Sequence, residues 1–309
     1  KPAGARLLVK ALKEEVGLPI HFHTHDTSGI AGATILAAAE AGVDAADVAM
    51  DALSGNTSQP TFGSIVEALA HTERDTGIDI EQVRQISDYW EAVRLQYAAF
   101  ESSMQAPASE VYLHEMPGGQ FTNLKTQARS LGLEERWHDV AHMYAEVNQM
   151  LGDIVKVTPS SKVVGDMALM MVSQGLTRAD VEDPKKDVSF PDSVIDMMKG
   201  NLGQPPGGWP KALQKKILKG EKPMTDRPGK HLPPVDLDAT RQELQEKFPE
   251  TEIDGEDLNG YLMYPKVFSD YMTRHLEYGP VRTLPTHAFF YGMEDGEEIE
   301  AEIDPGKTL

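Results

Sequence analysis

Along the first hundred positions apolar residues recur at helical spacing and then in short unbroken runs, the alternation expected of a parallel βα array. The pattern predicts a helix over residues 5–16 closed by Gly17, a short buried strand over 18–23, and a helix over 30–41 ended by Gly42. A second strand over 43–50 leads through a loop holding Gly55, Asn56 and Pro60 into a helix over 62–74. Two βα units neither close a barrel nor fill a doubly wound sheet, so the chain is expected to be a piece of something larger, cut at both ends. After Gly77 the period is helical over 80–101, 119–130, 137–151, 161–174, 193–199, 211–219, 238–248 and 254–276, with an extended piece at 110–114. Pro205-Pro206-Gly207-Gly208 and Pro233-Pro234 mark loops. From Pro285 bulky residues alternate, and Glu294-Asp295-Gly296 supplies a hairpin turn, which predicts the first strands of a small β-domain. The expected division is 1–105 for the βα units, 106–280 for a helical part and 281–309 for the start of the β-domain.

Composition narrows the function classes. A 309-residue chain with 40% apolar residues can bury a sizeable core. No apolar run approaches 18 residues, and Lys1-Pro2-Ala3-Gly4 lacks the plan of a signal peptide, so the expectation is a cytoplasmic protein without a membrane span. With no cysteine, a metal would have to be held by His, Asp, Glu or a modified Lys. A net charge of −20 leaves no surplus of Lys and Arg for replacing counterions around phosphates, which argues against nucleic acid as a partner.

Three segments carry chemistry. His21, His23 and His25 stand at period two on an extended segment, so they project from one face and neighbouring imidazoles can converge on one cation. They also lie at the C-terminal end of a strand in a βα array, where such folds place active sites. In 114–123, Pro117-Gly118-Gly119 opens a helix whose first amides, together with the Gln120 side chain, could meet a carbonyl or carboxylate; an ordinary helix start accounts for the same residues. In 155–166, Thr158 is pushed to an extended conformation by Pro159, and Ser161 and Lys162 begin a helix, gathering hydroxyls and an ammonium at one mouth; an ordinary capped helix fits equally.

The segment His23-Thr24-His25-Asp26-Thr27-Ser28-Gly29 is similar to the metal-binding strand of metal-dependent (β/α)8 barrels that include hydroxymethylglutaryl-CoA lyase, isopropylmalate synthase and biotin-dependent carboxyltransferases. His114-Glu115-Met116-Pro117-Gly118-Gly119-Gln120 resembles a hallmark of the biotin-linked carboxyltransferases, and the block 157–169 resembles the biotin-meeting segment of the pyruvate carboxylase family. Gly203-Gln204-Pro205, Tyr264-Pro265-Lys266-Val267 and Phe290-Tyr291-Gly292-Met293 extend the likeness over nearly the whole chain.

The fold this implies is α/β: the C-terminal βα units of a TIM barrel, an α-helical extension, and the first strands of the family's allosteric, tetramer-associated β-domain. The activity implied is carboxyl transfer from carboxybiotin to pyruvate, giving oxaloacetate for anaplerosis and gluconeogenesis. His23 and His25 would hold a divalent metal (Zn, Mn or Co), His21 would pack one layer deeper inside the barrel, Thr158 would shuttle a proton between pyruvate and biotin, and Ser161 and Lys162 would contact the biotin ring. Gln120 would join the biotin- or substrate-binding residues. The remaining metal ligands, an Asp and a carbamylated Lys, would lie upstream of Lys1. Biotin would arrive on a separate carrier domain, because the Ala-Met-Lys-Met attachment sequence is absent, and ATP and bicarbonate would be used by another domain of a homotetramer. Asp26 favours this family over the oxaloacetate decarboxylase α subunit and transcarboxylase. An inactive structural piece remains the answer of a different class.

Overall fold

The computed structural model describes residues 1–98, 101, 104, 106–278 and 296. They fall into two compact units, Lys1–His231 and Leu232–Leu309. No described helix is long and apolar enough to cross a membrane.

The first unit opens with α1 (Pro2–Glu15), whose proline occupies a first-turn position where no amide is needed. Its buried Ala5 and Val9 pack on Ala38 of α2 (Ala31–Glu40). Between the two helices runs β1 (His21–Phe22), paired in parallel with β2 (Ala45–Ala46) in the register His21↔Ala45 and Phe22↔Ala46. The strands are shorter than the expected 18–23 and 43–50: Pro19 has no N–H for a ladder, and beyond β2 the regular pairing shrinks to one parallel bridge, Ala49↔Thr61. A short 3-10 turn, Asp51–Leu53, precedes α3 (Phe62–Leu69), which closes before the expected 74: Ala70 leaves helical geometry at ψ 139° and His71 follows with a left-handed φ of 62°. α4 (Ile80–Leu95) starts where Asp79 accepts the Glu81 amide.

Among the described residues after 106 the regular elements are all helices. The extended piece expected at 110–114 is instead one helical turn, α5 (Val111–His114), ended by Glu115 at φ 55°. Then follow α6 (Gly118–Ser130), α7 (Trp137–Met150), α8 (Ser160–Gln174), α9 (Arg178–Glu182), α10 (Asp192–Lys199) and α11 (Lys211–Ile217). The sequence pattern does not predict α9, which is set by a reciprocal cap between Thr177 and Asp180. α8 is apolar nearly all round, with Val163, Val164, Met167, Ala168, Met171 and Val172 buried, and so forms the middle of the core.

The second unit has α12 (Leu237–Lys247), α13 (Gly255–Met263) and α14 (Pro265–Tyr278) around Leu244, Phe248, Leu258 and Phe268. The single helix expected over 254–276 is therefore two. Tyr264, ahead of Pro265, leaves helical geometry at φ −144° and ψ 66°. The β-domain expected at 281–309 lies outside the described residues, apart from Gly296.

Candidate active site

Parallel pairing puts a carboxylate beside the histidine strand. The Asp47 amide donates to the Phe22 carbonyl at 3.0 Å, one step beyond β2, so Asp47 sits level with the same-face pair His21 and His23. His21 Nε2 meets Asp47 Oδ1 at 2.6 Å, and His23 Nδ1 meets Oδ2 at 2.7 Å. These two imidazole contacts, His21's the larger, hold the Asp47 carboxyl below the usual carboxylate range. The His21 ring thus bears on Asp47.

His25 is oriented from the other side. Its Nδ1 lies 2.6 Å from the Thr57 carbonyl oxygen, which can only accept, so this nitrogen carries the proton. The lone pair then sits on Nε2, 3.4 Å from His23 Nε2. Two nitrogens each about 2.1 Å from a shared ion at a near-tetrahedral angle stand about 3.4 Å apart. The donor set therefore fits two ligands of a divalent metal, although no group of three metal-binding side chains comes together among the described residues.

The second sequence segment packs against this strand, and the third reaches the second. The turn after His25 is fastened to α5 and the stretch before it: the Ala108 amide donates to the Thr27 carbonyl at 2.9 Å, and the Tyr112 hydroxyl of α5 to Ser28 Oγ at 3.0 Å. Gly118, at the start of α6, lies so close that an added Cβ would come within 2.7 Å of His25 Nδ1 and 2.9 Å of the Thr57 oxygen. One turn on, Thr122 Oγ1 donates to Thr57 Oγ1 at 2.9 Å. Glu115, in the same stretch, pairs at 2.9 Å with the largely buried Lys156 ammonium, two residues before Thr158. Residues 115–122 thus touch both the histidine strand and the chain leading to Thr158.

Gln120 is buried against α8, where a Cβ on Gly165 would lie 2.6 Å from its Nε2; that nitrogen has no hydrogen-bond partner. Thr158 is exposed, precedes the cis bond to Pro159, and lines a cavity of about 270 Å³ with Ser160, Leu202, Gly203, Gln204 and Trp209. The residues lining that cavity include neither His23 nor His25. Ser161 is buried, while Lys162 is exposed and held at 2.5 Å by Asp166, which also accepts from Ser193 Oγ at 2.6 Å.

Sequence reading alone misses Asp47, Thr57, Lys156 and Trp209. Asp47 had one signal, an acidic residue inside an apolar strand run; Thr57 acts through its backbone, and the partner of Lys156 is 41 residues away.

The architecture is α/β and mostly helical, with a metal-type histidine pair on a parallel strand. Residues 111–309 match the family model described as the conserved carboxylase domain, and residues 1–89 match an HMGL-like model. The chain belongs to the conserved carboxylase domain family. It is 51% identical along its whole length to pyruvate carboxylase of Bacillus subtilis and 45% to the mitochondrial pyruvate carboxylase of Homo sapiens, spanning 27% and 26% of those proteins. Against the structure of the carboxyl transferase domain from Rhizobium etli pyruvate carboxylase with pyruvate and biocytin it is 69% identical, with a TM-score of 0.93 over 99% of this chain and 51% of that one.

Proposed function

We propose that this chain is the later part of the carboxyltransferase region of a biotin-dependent pyruvate carboxylase, and that it moves the carboxyl group from carboxybiotin to pyruvate. The observation that carries the reading is the meeting of three segments around 115–122: Gly118 against His25, Thr122 on Thr57, and Glu115 on Lys156 just before Thr158.

In this reading His23 and His25 hold a divalent metal through Nε2. When bound, the ion supplies positive charge beside the keto oxygen of pyruvate and stabilises the enolate. Thr158 Oγ1 accepts the pyruvate methyl proton and hands its own on to the biotin ring as that ring gives up carbon dioxide; the pyruvate methylene carbon then bonds to the carbon dioxide, forming oxaloacetate. The exposure of Thr158 and its place on a cavity wall support that role, since an arriving ring can reach it. Lys162 would turn from Asp166 to the ring, and Ser161 would contact the ring at the start of α8. The unpartnered Gln120 Nε2 supports a donor role toward a carbonyl or carboxylate. The carrier domain, the ATP- and bicarbonate-using domain and the homotetramer belong to the larger protein. The metal is Zn, Mn or Co, which suit imidazole and oxygen ligands.

The test is Thr158→Ala in the full-length protein. Oxaloacetate formation should fall by about 10²-fold or more, the scale of a lost proton-transfer group, while bicarbonate-dependent ATP cleavage stays near wild type. Equal loss of both activities would remove the shuttle assignment.

A further inference from the structure

We infer that Asp47 is a positioning residue for the metal site: its carboxylate fixes the tautomer and direction of His23 so that His23 Nε2 faces His25 Nε2. The inference rests on the proposed metal-holding role of those two histidines and adds the device that makes them a pair.

An isolated neutral imidazole protonates either nitrogen with little preference, and a ligand needs its lone pair on the nitrogen that faces the ion. At His25 the Thr57 carbonyl settles the matter, because a carbonyl oxygen cannot donate and the 2.6 Å contact requires a proton on Nδ1. At His23 the equivalent partner is Asp47 Oδ2, at 2.7 Å. An ionised carboxylate likewise only accepts, so His23 also carries its proton on Nδ1 and presents a bare Nε2. Two different acceptors, a backbone carbonyl and a carboxylate, thereby enforce the same tautomer on both rings.

Asp47 is held in turn from two directions. Its amide is locked to the Phe22 carbonyl in the parallel ladder, and its Oδ1 is occupied by His21 Nε2 at 2.6 Å. This assigns a role to the third histidine of the strand: His21 fills the second carboxylate oxygen and restrains the Asp47 side chain with Oδ2 aimed at His23. Period-two geometry makes the arrangement possible, because His21 and His23 share a face and the neighbouring strand delivers one residue level with both. Outer partners of this kind, a carboxylate or carbonyl on the far nitrogen of a ligand histidine, raise ligand basicity and typically change metal affinity by about 10–100-fold when removed.

The test uses full-length protein purified with its metal and challenged with a chelator. Metal retained over time is measured by emission spectroscopy for wild type, Asp47→Ala, Asp47→Asn, His21→Ala and His23→Ala, with a thermal melt for each. Asp47→Ala should lose metal about 10–100-fold faster than wild type. Asp47→Asn, nearly isosteric and with one acceptor oxygen left, should fall between the two while melting near wild type, which keeps the test decisive if the alanine variant folds poorly. His21→Ala should change retention less than Asp47→Ala. Asp47 variants that melt normally and hold metal like wild type, while His23→Ala loses it, would overturn the positioning role and leave the ligand reading standing. If His23→Ala itself retains metal normally, the ligand reading fails and the positioning role fails with it.

Discussion

Gly118 matters through the side chain it lacks. With an added Cβ only 2.7 Å from His25 Nδ1 and 2.9 Å from the Thr57 oxygen, even a methyl group must push apart the hydrogen bond that orients the ring. Gly118→Ala should therefore cost about 1–3 kcal/mol of stability, read by denaturant unfolding, and should accelerate metal loss in the full-length protein. Gln120 sits oppositely: its buried Nε2 has no acceptor, a state that costs about 1–3 kcal/mol. Gln120→Met should raise the melting temperature while raising KM for pyruvate; a lowered melting temperature with unchanged KM would mean that the amide serves the fold. His114 carries a pH dependence. Its ring is buried and accepts the Met116 amide at Nδ1, 3.0 Å away, and burial pushes its pKa below the ordinary 6.5. The unfolded chain then binds the proton more readily, so this contribution to stability is full above about pH 6.5 and is lost as the pH falls below it through the depressed folded-state pKa. Between pH 7.5 and 5.5 the melting temperature of wild type should drop further than that of His114→Asn. At this scale the sequence was legible for the histidines, whose period of two shows directly. It was silent on Asp47, which becomes their neighbour only once β1 and β2 take up their register.

Among the elements, α8 dominates the first unit because it is buried on nearly every side, its first turn carries Ser161 and Lys162, and Thr158 lies two residues ahead of it. Met167→Ala, at a fully buried position, should cost about 2–5 kcal/mol, whereas Leu131→Ala, at a side chain 58% exposed, should stay within about 0.5 kcal/mol. Equal effects in urea unfolding would contradict the central place of α8. Most helices were legible within a few residues from apolar spacing, since each buries one stripe or more. The misses have specific causes. Val111 and Tyr112 favour strands locally, yet α5 closes as a turn that brings the Tyr112 hydroxyl to Ser28, a contact 84 residues apart that no local pattern encodes. The break between α13 and α14 was written in the sequence: Pro265 lacks an amide and forces Tyr264 out of helical geometry, which outweighs the apolar periodicity running through it.

Over the whole molecule, the two compact units meet in sequence at His231 and Leu232, inside a run from Asp226 to Asp238 that is mostly exposed. Brief trypsin treatment should cut first at Lys230, since Pro228 shields the bond after Arg227, leaving one fragment that ends there and one that begins at His231 and leads into α12; early cuts within α8 would contradict the division. The α/β class follows from the alternation in the first hundred residues, but the gathering of three segments around 115–122 depends on contacts between residues up to 93 positions apart, such as Gly118 on His25, and is visible only in the fold. The most direct test of that gathering is a crystal structure of the full-length protein with its metal and pyruvate, with the ion placed by anomalous scattering. One ion about 2.1 Å from both His23 Nε2 and His25 Nε2, with the pyruvate methyl carbon beside Thr158 Oγ1, is the predicted result. Pyruvate bound beside the ion with the Thr158 hydroxyl out of reach of it would contradict the account.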